Sequence, residues 1–207
     1  MSIIINQIIK TVIRYPWFME TALFKKTMFV FPNMIANRYD KTVGNRVDYE
    51  LPLIEGLKYL DLDARFEGKI LDLCTGTGFA SLEAAAVFPK AKIIGIDQSQ
   101  TMLNLASQKA DSRNIDNAEF IMADASRLFF NEDSFDLVIV SNAPFYFDEI
   151  ARVLKTTGSF LISLSFGGKS IVQSRKRIEE YFQQYNLKVK EIKQVKEGVF
   201  ILSSLDK

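Results

Sequence analysis

Residues Ile70 to Ala86 read ILDLCTGTGFASLEAAA, and this run carries the strongest signal in the chain. A short apolar run ends at Leu73, a turn with two glycines follows, and an alanine-rich helical segment begins at Phe79. A strand that enters a glycine turn and opens a helix lets the backbone approach a ligand and offers it free helix N–H groups. The glycine spacing alone does not identify that ligand, because dinucleotide-binding enzymes share it.

Short apolar runs alternate with helical segments on both sides of this turn. The predicted strands are residues 69–73, 92–96, 118–122, 134–140, 159–165, 187–195 and 199–205, and the helices are residues 79–88, 100–110, 147–154 and 170–185. Gly158 is predicted to end the third of these helices, and Lys196-Glu197-Gly198 to close a hairpin. Strands that alternate with helices predict an α/β fold with right-handed crossovers. We therefore expect a Rossmann-like three-layer αβα sandwich, whose seven-stranded sheet is mostly parallel with an antiparallel strand from the C-terminal hairpin.

The N-terminal part of the chain has a different pattern. Apolar residues recur at helical spacing between residues 4 and 13, which predicts an amphipathic helix that stops before Pro16. A second apolar segment, rich in Phe and Met, spans residues 17–31. We divide the chain into an N-terminal helical cap or lid, residues 1–60, and a core, residues 61–207. Packing on the core, closing over an apolar substrate and docking on a membrane surface are three open roles for the cap.

Composition argues against several classes of function. Lys and Arg total 26 against 25 Asp and Glu, so the chain lacks the basic excess that nucleic-acid binding usually needs. Histidine is absent and Cys74 is the single cysteine, so we expect no metal site and no intramolecular disulfide. Charged residues interrupt the N-terminal apolar segment before it reaches the length of a membrane span, and it lacks the features of a signal peptide. We expect a cytoplasmic protein with neither a transmembrane segment nor a nucleic-acid partner.

Three aspartates stand at or just after the ends of three consecutive predicted strands. Asp72 precedes the glycine turn, Asp97 ends the strand in IIGIDQS, and Asp124 follows the strand in FIMADAS. Because the carboxyl ends of parallel strands meet at one edge of a sheet, the three carboxylates should face one crevice. S-adenosylmethionine (SAM) carries an ammonium, a sulfonium and a ribose diol, so it suits such a crevice better than a pyrophosphate cofactor does.

The motifs around these aspartates resemble those of a known enzyme family. Residues 70–86, IIGIDQSQTMLNLA and FDLVIVSN…DEIARVLKTTGSFLIS are similar to the successive motifs of class I SAM-dependent methyltransferases. The closest branch is methyltransferase type 11, which contains ubiquinone- and menaquinone-biosynthesis enzymes, and the resemblance covers residues 37–166. It implies an amino-group contact at Asp72, ribose binding by Asp97 and an adenine contact at Asp124.

The same resemblance implies the rest of the cofactor site. The backbone would approach SAM at Gly76 and Gly78, Gln98 would lie beside the adenine ring, and Tyr39 in the RYD element would cover the methionine end. Cys74 stands where the family usually has the first glycine of the turn. The remaining implied contacts are Thr75, Ala125 and Asn142.

The segment Asn142-Ala143-Pro144-Phe145 has two interpretations. It resembles the Asn-x-Pro-aromatic signature of methyltransferases that act on planar nitrogen, in which the Asn orients the nitrogen and the ring stacks on its plane. The alternative is a Pro-containing turn whose aromatic residues line a general apolar pocket. With no histidine, a base would have to come from Asp40, Tyr146, Asp148 or Glu149, and this favours a nitrogen or carbon acceptor.

We therefore predict in-line SN2 transfer of a methyl group from SAM to a small apolar or aromatic acceptor, with S-adenosyl-L-homocysteine as the product. The predicted catalytic residues are Asn142, Tyr146 and Asp40. An NAD(P)-dependent oxidoreductase and a non-catalytic or non-methylating protein of the same fold are the alternatives. The sequence leaves open whether the chain forms a homodimer or contacts a membrane peripherally.

Overall fold

The computed structural model describes residues 47–206. The predicted helix at residues 4–13, the apolar segment at 17–31 and the site candidates Tyr39 and Asp40 lie outside the described residues. The helices are α1 (Val47–Lys58), α2 (Phe79–Val87), α3 (Gln100–Ser112), α4 (Phe147–Val153), α5 (Gly168–Gln173) and α6 (Arg175–Gln183). The strands are β1 (Lys69–Leu73), β2 (Lys92–Asp97), β3 (Ala118–Met122), β4 (Phe135–Ser141), β5 (Leu154–Leu164), β6 (Leu187–Val195) and β7 (Gly198–Leu205).

The strands form one seven-stranded sheet in the order β3-β2-β1-β4-β5-β7-β6. Strands β1 to β5 are parallel to their neighbours among themselves, and β7 runs antiparallel to both β5 and β6. The predicted α/β fold, its seven strands and its C-terminal hairpin are confirmed. Strand order reverses at β1, which places the glycine turn at the switch point where ligands bind in open α/β sheets.

Helices cover both faces of the sheet, which makes the three layers. On one face, α4 and α6 contribute Phe147 and Phe182 to an apolar core that also holds Phe160 of β5. On the other face, α1 and α2 pack over a second core that contains Leu161 and Phe200. None of the helices within residues 47–206 combines the length and the hydropathy needed to cross a bilayer.

Helix α1 lies directly on the sheet. A Cβ added at Gly56 would come 2.7 Å from Leu161 Cδ1, so this glycine permits the close approach of helix and strand. Leu53 and Leu57, on the same helix, are almost fully buried in the second core. Residues 47–58 of the proposed cap therefore share a hydrophobic core with the sheet, and the division of the chain at residue 60 stays a prediction.

The prediction that Gly158 ends a helix is wrong. Helix α4 ends at Val153 and β5 begins at the next residue, so Gly158 lies inside the strand. The pairing of β4 with β5 shifts register between Phe135 and Leu137, and a Cβ at Gly158 would lie 2.8 Å from Leu154 Cδ1. Gly158 therefore accommodates an irregularity in β5. A glycine inside a strand often marks such an irregularity, just as a glycine after a helix often marks the helix end.

The helix predicted for residues 170–185 is two helices. Helix α5 is held at the hairpin, where Gly168 N donates to the carbonyl of Glu197 at 2.9 Å. Helix α6 is held in the first core by Tyr181 and Phe182. The chain changes direction between these two attachments at Ser174, whose φ of −104° and ψ of 16° interrupt the helical geometry.

Candidate active site

The carboxyl ends of β1, β2 and β3 bring the three predicted aspartates to one edge of the sheet. The pKa of the Cys74 thiol is raised above its usual value. Burial is the largest cause, and the nearby carboxylates of Asp97, Asp72 and Asp124 add to it in that order. Cys74 follows β1 directly, so all three carboxylates lie near enough to the first residue of the glycine turn to affect its ionisation. The three aspartates thus lie at one edge of the sheet, and their facing one crevice stays a prediction.

Asp72 holds the glycine turn and the start of α2 together. Its side chain is buried, and its Oδ2 accepts hydrogen bonds from Thr75 Oγ1 (2.5 Å), Ser81 Oγ (2.7 Å) and Ser81 N (3.0 Å). The bond from Ser81 N places a carboxylate at the N-terminus of α2, where the helix dipole favours it. Burial raises the pKa of Asp72 to about 6, although these hydrogen bonds act to lower it. The predicted contact of Asp72 with an amino group stays a prediction.

Asp97 links the end of β2 to the glycine turn. Its Oδ2 accepts from Gly76 N at 2.9 Å, and its Oδ1 accepts from Ser99 N at 2.9 Å. Burial raises the pKa of this carboxyl, and the backbone N–H bonds partly oppose that effect. Because a carboxylate oxygen can accept more than one hydrogen bond, Asp97 keeps acceptor capacity for a diol.

The two glycines of the turn serve different purposes. Both have a positive φ, +55° at Gly76 and +83° at Gly78. Among residues 47–206, no other atom lies within 4 Å of a Cβ built at Gly76, whereas a Cβ at Gly78 would lie 2.8 Å from Ala106 Cβ on α3. Within this part of the chain, Gly76 thus leaves space beside the turn, as a cofactor cradle requires, and Gly78 lets α3 pack closely.

Cys74 adopts a left-handed backbone, with φ +57°. This conformation explains why the family usually has glycine here, because a Cβ in this region costs energy. The raised pKa keeps the thiol protonated at neutral pH, and the side chain packs against the first core. Cys74 is therefore a packed residue of the turn rather than a reactive thiol.

Gly95 and Ser81 are parts of the site that the sequence analysis did not identify. A Cβ at Gly95 would lie 2.7 Å from Ser81 Oγ and 2.9 Å from Thr75 Oγ1. Because Gly95 has no side chain, β2 leaves room for the two hydroxyls that bind Asp72. A glycine inside a buried strand such as IIGID was the available signal for this close approach.

Asp124 forms a turn of its own beyond β3. Its Oδ1 accepts from Ser126 N (2.8 Å) and Ser126 Oγ (2.7 Å), which is an Asx-type turn. Asp124 is exposed, the adjacent Ala125 is buried, and Gln98 is exposed beside Asp97. The placement leaves the adenine contacts implied for these residues as predictions.

Asn142 connects β4 to β5. It has φ +51°, and its Oδ1 accepts from Ser165 N while its Nδ2 donates to Ser165 Oγ, each at 2.9 Å. Ser165 Oγ in turn donates to the carbonyl of Tyr49 on α1 at 2.7 Å. The Asn142 amide therefore already holds three elements together, and its contact with the cofactor or an acceptor stays a prediction.

Tyr146 and Glu149 lie beside the aspartate crevice, in or next to α4. Burial, with contributions from Cys74 and Asp124, raises the pKa of Tyr146 to about 12, so the phenol is protonated at neutral pH. Glu149 is paired with Arg152 at 2.8 Å and accepts from Leu128 N, and the bond to Arg152 lowers its pKa. Glu149 is therefore committed to an ion pair and is a poor general base, whereas the catalytic role of Tyr146 stays a prediction.

The aromatic residues after β4 are mostly part of the core. Phe145 and Phe147 are buried with ring centroids 5.5 Å apart, and Phe147 stacks on Tyr185 at 5.0 Å. Phe145, Tyr146 and Tyr185 help to line a cavity of about 110 Å³ at the start of α4. This arrangement favours the interpretation of a turn whose aromatic residues line a small pocket. Within residues 47–206, no three His, Cys, Asp or Glu side chains are grouped so that they could hold a metal ion.

Comparison with known proteins gives a consistent result. A family model described as "Methyltransferase domain" matches residues 66–203. Demethylmenaquinone methyltransferase of Lactococcus lactis is 40% identical over 97 residues, which are 43% of this chain and 38% of that protein. The protein of the same name from Staphylococcus aureus is 33% identical over 138 residues, which are 62% of this chain and 56% of that protein. The chain thus matches between 38 and 56% of the length of these two relatives.

A solved SAM-dependent methyltransferase of Aquifex aeolicus has the same fold. It superposes with a TM-score of 0.65 at 17% identity, covering 83% of this chain and 98% of the other.

Proposed function

The chain belongs to the methyltransferase-domain family, and we propose that it is an enzyme that transfers a methyl group from SAM to a small acceptor. The observation that carries this proposal is the hydrogen bond from Gly76 N to Asp97 Oδ2, beside a position where no other atom of residues 47–206 lies within 4 Å of a Cβ built at Gly76. That arrangement combines a backbone cradle with a carboxylate that retains acceptor capacity. It fits an adenosyl group with a free ribose diol.

The residues that surround the crevice suit a cationic cofactor. Asp97 would accept from the ribose hydroxyls, Asp124 and Gln98 would lie along the adenine, and the turn at Thr75 and Gly76 would contact the methionyl part. Three carboxylates near Cys74 favour a ligand with positive charge. When bound, SAM supplies a methyl group already activated by a sulfonium, so the protein's task is alignment in a dry site.

We propose a planar, largely apolar acceptor with an activated carbon, of the quinol class. The two curated relatives are named for demethylmenaquinone, and the buried aromatic residues at the start of α4 provide an apolar surface next to Tyr146. An activated ring carbon needs only a weak base. This matches a site in which Tyr146 is a neutral phenol and Glu149 is paired with Arg152. Asp40 and Tyr39 are proposed to complete the site from residues outside the described part.

The test is methyl transfer itself. The full chain is incubated with SAM labelled in the methyl group and a short-chain demethylmenaquinol, and in parallel with lipid and polar extracts of cells, with the products identified by mass spectrometry. We expect label in a small apolar product together with an equal amount of S-adenosylhomocysteine. Binding of SAM without transfer to any acceptor would instead support a non-methylating protein of this fold. Binding of NADH in its place would support the oxidoreductase alternative.

A further inference from the structure

Ser163 of β5 carries a buried hydroxyl that has no hydrogen-bond partner in the described part of the chain, residues 47–206. The residue is 1% exposed, and among residues 47–206 its Oγ is the one buried side-chain nitrogen or oxygen without a hydrogen bond. Leaving a buried hydroxyl unsatisfied lowers the stability of a protein, so such groups usually have a reason. Neighbouring buried serines do have partners, as Ser203 Oγ donates to the carbonyl of Phe160 at 3.4 Å.

The sheet register gives the direction in which Ser163 points. Ser163 pairs with Phe200 of β7, and paired residues project from the same face of a sheet. Phe200 belongs to the core beneath α1 and α2, so the hydroxyl also projects toward that face. Asp72 projects from the same face, because it pairs with Ile139 of β4, which belongs to the same core.

The hydroxyl also lies at the ligand-binding edge of the sheet. Ser163 is one residue from the carboxyl end of β5, and it pairs with Ser141, the last residue of β4. Beside it, Asn142 and Ser165 bond to each other, and Ser165 bonds to the carbonyl of Tyr49. These neighbours satisfy one another and leave the Ser163 hydroxyl as a donor at the meeting point of β4, β5 and α1.

We propose that Ser163 Oγ donates a hydrogen bond to the α-carboxylate of the cofactor's methionyl group. The proposal rests on the proposed function, since it requires a SAM-type ligand. Asp97 ends β2, which is three strand spacings from β5, or about 14 Å at the usual strand spacing. A cofactor whose ribose is at Asp97 would extend its amino-acid arm across β1 toward β4 and β5.

Charge supports the choice of the carboxylate. Asp72, Asp97 and Asp124 cluster at β1 to β3, so a ligand carboxylate is repelled from that side of the crevice. On the β5 side, a donor hydroxyl without a partner offers what a carboxylate needs. The zwitterionic end of the cofactor would thus be oriented by acids on one side and by the hydroxyl on the other.

The experiment compares two ligands that differ in the amino-acid group. S-adenosylhomocysteine has the carboxylate, and 5′-methylthioadenosine lacks the whole amino-acid group. Both are titrated calorimetrically into the full chain and into Ser163→Ala, Ser163→Cys and the matched control Ser203→Ala. We expect Ser163→Ala to weaken S-adenosylhomocysteine binding about tenfold or more, and to leave methylthioadenosine binding within about twofold. Ser163→Cys, with a weak donor, should lose most of the same affinity, and Ser203→Ala should leave the ratio of the two affinities unchanged.

Thermal melts separate this assignment from a structural role. Because the unsatisfied hydroxyl stabilises nothing in the free protein, Ser163→Ala should melt at or above the temperature of the original chain. The inference is overturned if both variants bind S-adenosylhomocysteine like the original chain, or if they weaken both ligands equally. If the original chain binds neither ligand, the proposed function fails as well.

Discussion

Asp97 on β2 accepts a hydrogen bond from the backbone N–H of Gly76, 2.9 Å away and 21 residues earlier in the chain. The bond joins the end of one strand to the turn that follows its neighbour. One carboxylate therefore shapes the glycine turn and faces the space beside it. In the proposed enzyme, the group that orients the cradle also binds the ribose.

Replacing Asp97 by Ala should therefore reduce cofactor affinity sharply. The loss of hydrogen bonds to a charged acceptor is worth about 1.5–3 kcal/mol, which corresponds to a roughly 10- to 150-fold weaker binding of S-adenosylhomocysteine. Calorimetric titration measures this. Glu67→Gln removes an acid from an exposed site, where it contacts Lys90 at 3.3 Å, and serves as the control. An unchanged affinity in Asp97→Ala would show that the ribose assignment is wrong.

The two glycines of the turn should respond differently to alanine. At Gly76 the added Cβ meets no other atom of residues 47–206 within 4 Å, so within that part of the chain Gly76→Ala costs only the strain of a left-handed residue, about 1–2 kcal/mol, but places a methyl group in the cradle. At Gly78 the Cβ also lies 2.8 Å from Ala106 Cβ, so Gly78→Ala should destabilise the fold more. Urea unfolding and S-adenosylhomocysteine titration of both variants give the comparison. Normal S-adenosylhomocysteine binding by Gly76→Ala would contradict the cradle assignment, and a lower stability of Gly76→Ala than of Gly78→Ala would contradict the packing argument for Gly78.

The buried carboxyl of Asp72 should make stability depend on pH. Its pKa in the folded chain is raised to about 6 from 3.8, so between these values the folded state holds a proton that the unfolded state has lost. The free energy of unfolding should therefore fall as pH rises from about 4 to 6, by up to about 3 kcal/mol relative to Asp72→Asn. Urea titrations of both proteins at several pH values measure this difference. If the stability of the original chain relative to Asp72→Asn instead rose between pH 4 and 6, the argument that burial raises the pKa of Asp72 would be contradicted.

Arg152 should stabilise the segment between β3 and β4. It pairs with both carboxylate oxygens of Glu149 at 2.8 Å and donates to the carbonyls of Phe130 (2.8 Å) and Leu128 (3.1 Å). Arg152→Met should reduce the free energy of unfolding at neutral pH by about 1–3 kcal/mol, and Arg152→Lys by less.

Acid should shrink the effect of Arg152→Met. The pKa of Glu149 is lowered in the folded chain, so its stabilising contribution is present above the unfolded value of 4.5 and is lost as pH falls through the folded value. Urea unfolding at pH 7 and near pH 3 provides the check. An effect of equal size at both values would mean that the ion pair with Glu149 contributes nothing.

The strand and helix order was predictable because each element carries its own periodicity and ends at a turn residue. The edge position of Asp72, Asp97 and Asp124 followed from the same pattern, since they lie at or just beyond strand ends. Gly158 was misread because a glycine after a helical segment has the same local signature as a glycine in an irregular strand. Only the pairing of β4 with β5 distinguishes the two.

Contacts between distant residues were beyond the reach of sequence patterns. Asn142 and Ser165 lie 23 residues apart and bond only because β4 and β5 are neighbours. For the same reason, the sequence presented Asn142 as a candidate ligand residue, whereas the structure places its amide between two strands and α1. The missing partner of Ser163 within residues 47–206 has no signal in a single sequence, and the buried hydroxyls around Asp72 are indicated only by the glycine inside the strand IIGID.

Calorimetric titration of the full chain with SAM, repeated with S-adenosylhomocysteine and with NADH, tests most directly whether this protein uses SAM. We expect saturable binding of one adenosyl ligand per chain, weakened in Asp97→Ala, and no binding of NADH. A site with a Kd of about 1 mM would be half filled at about 1 mM SAM. Absence of SAM binding at that concentration would contradict the proposed use of SAM.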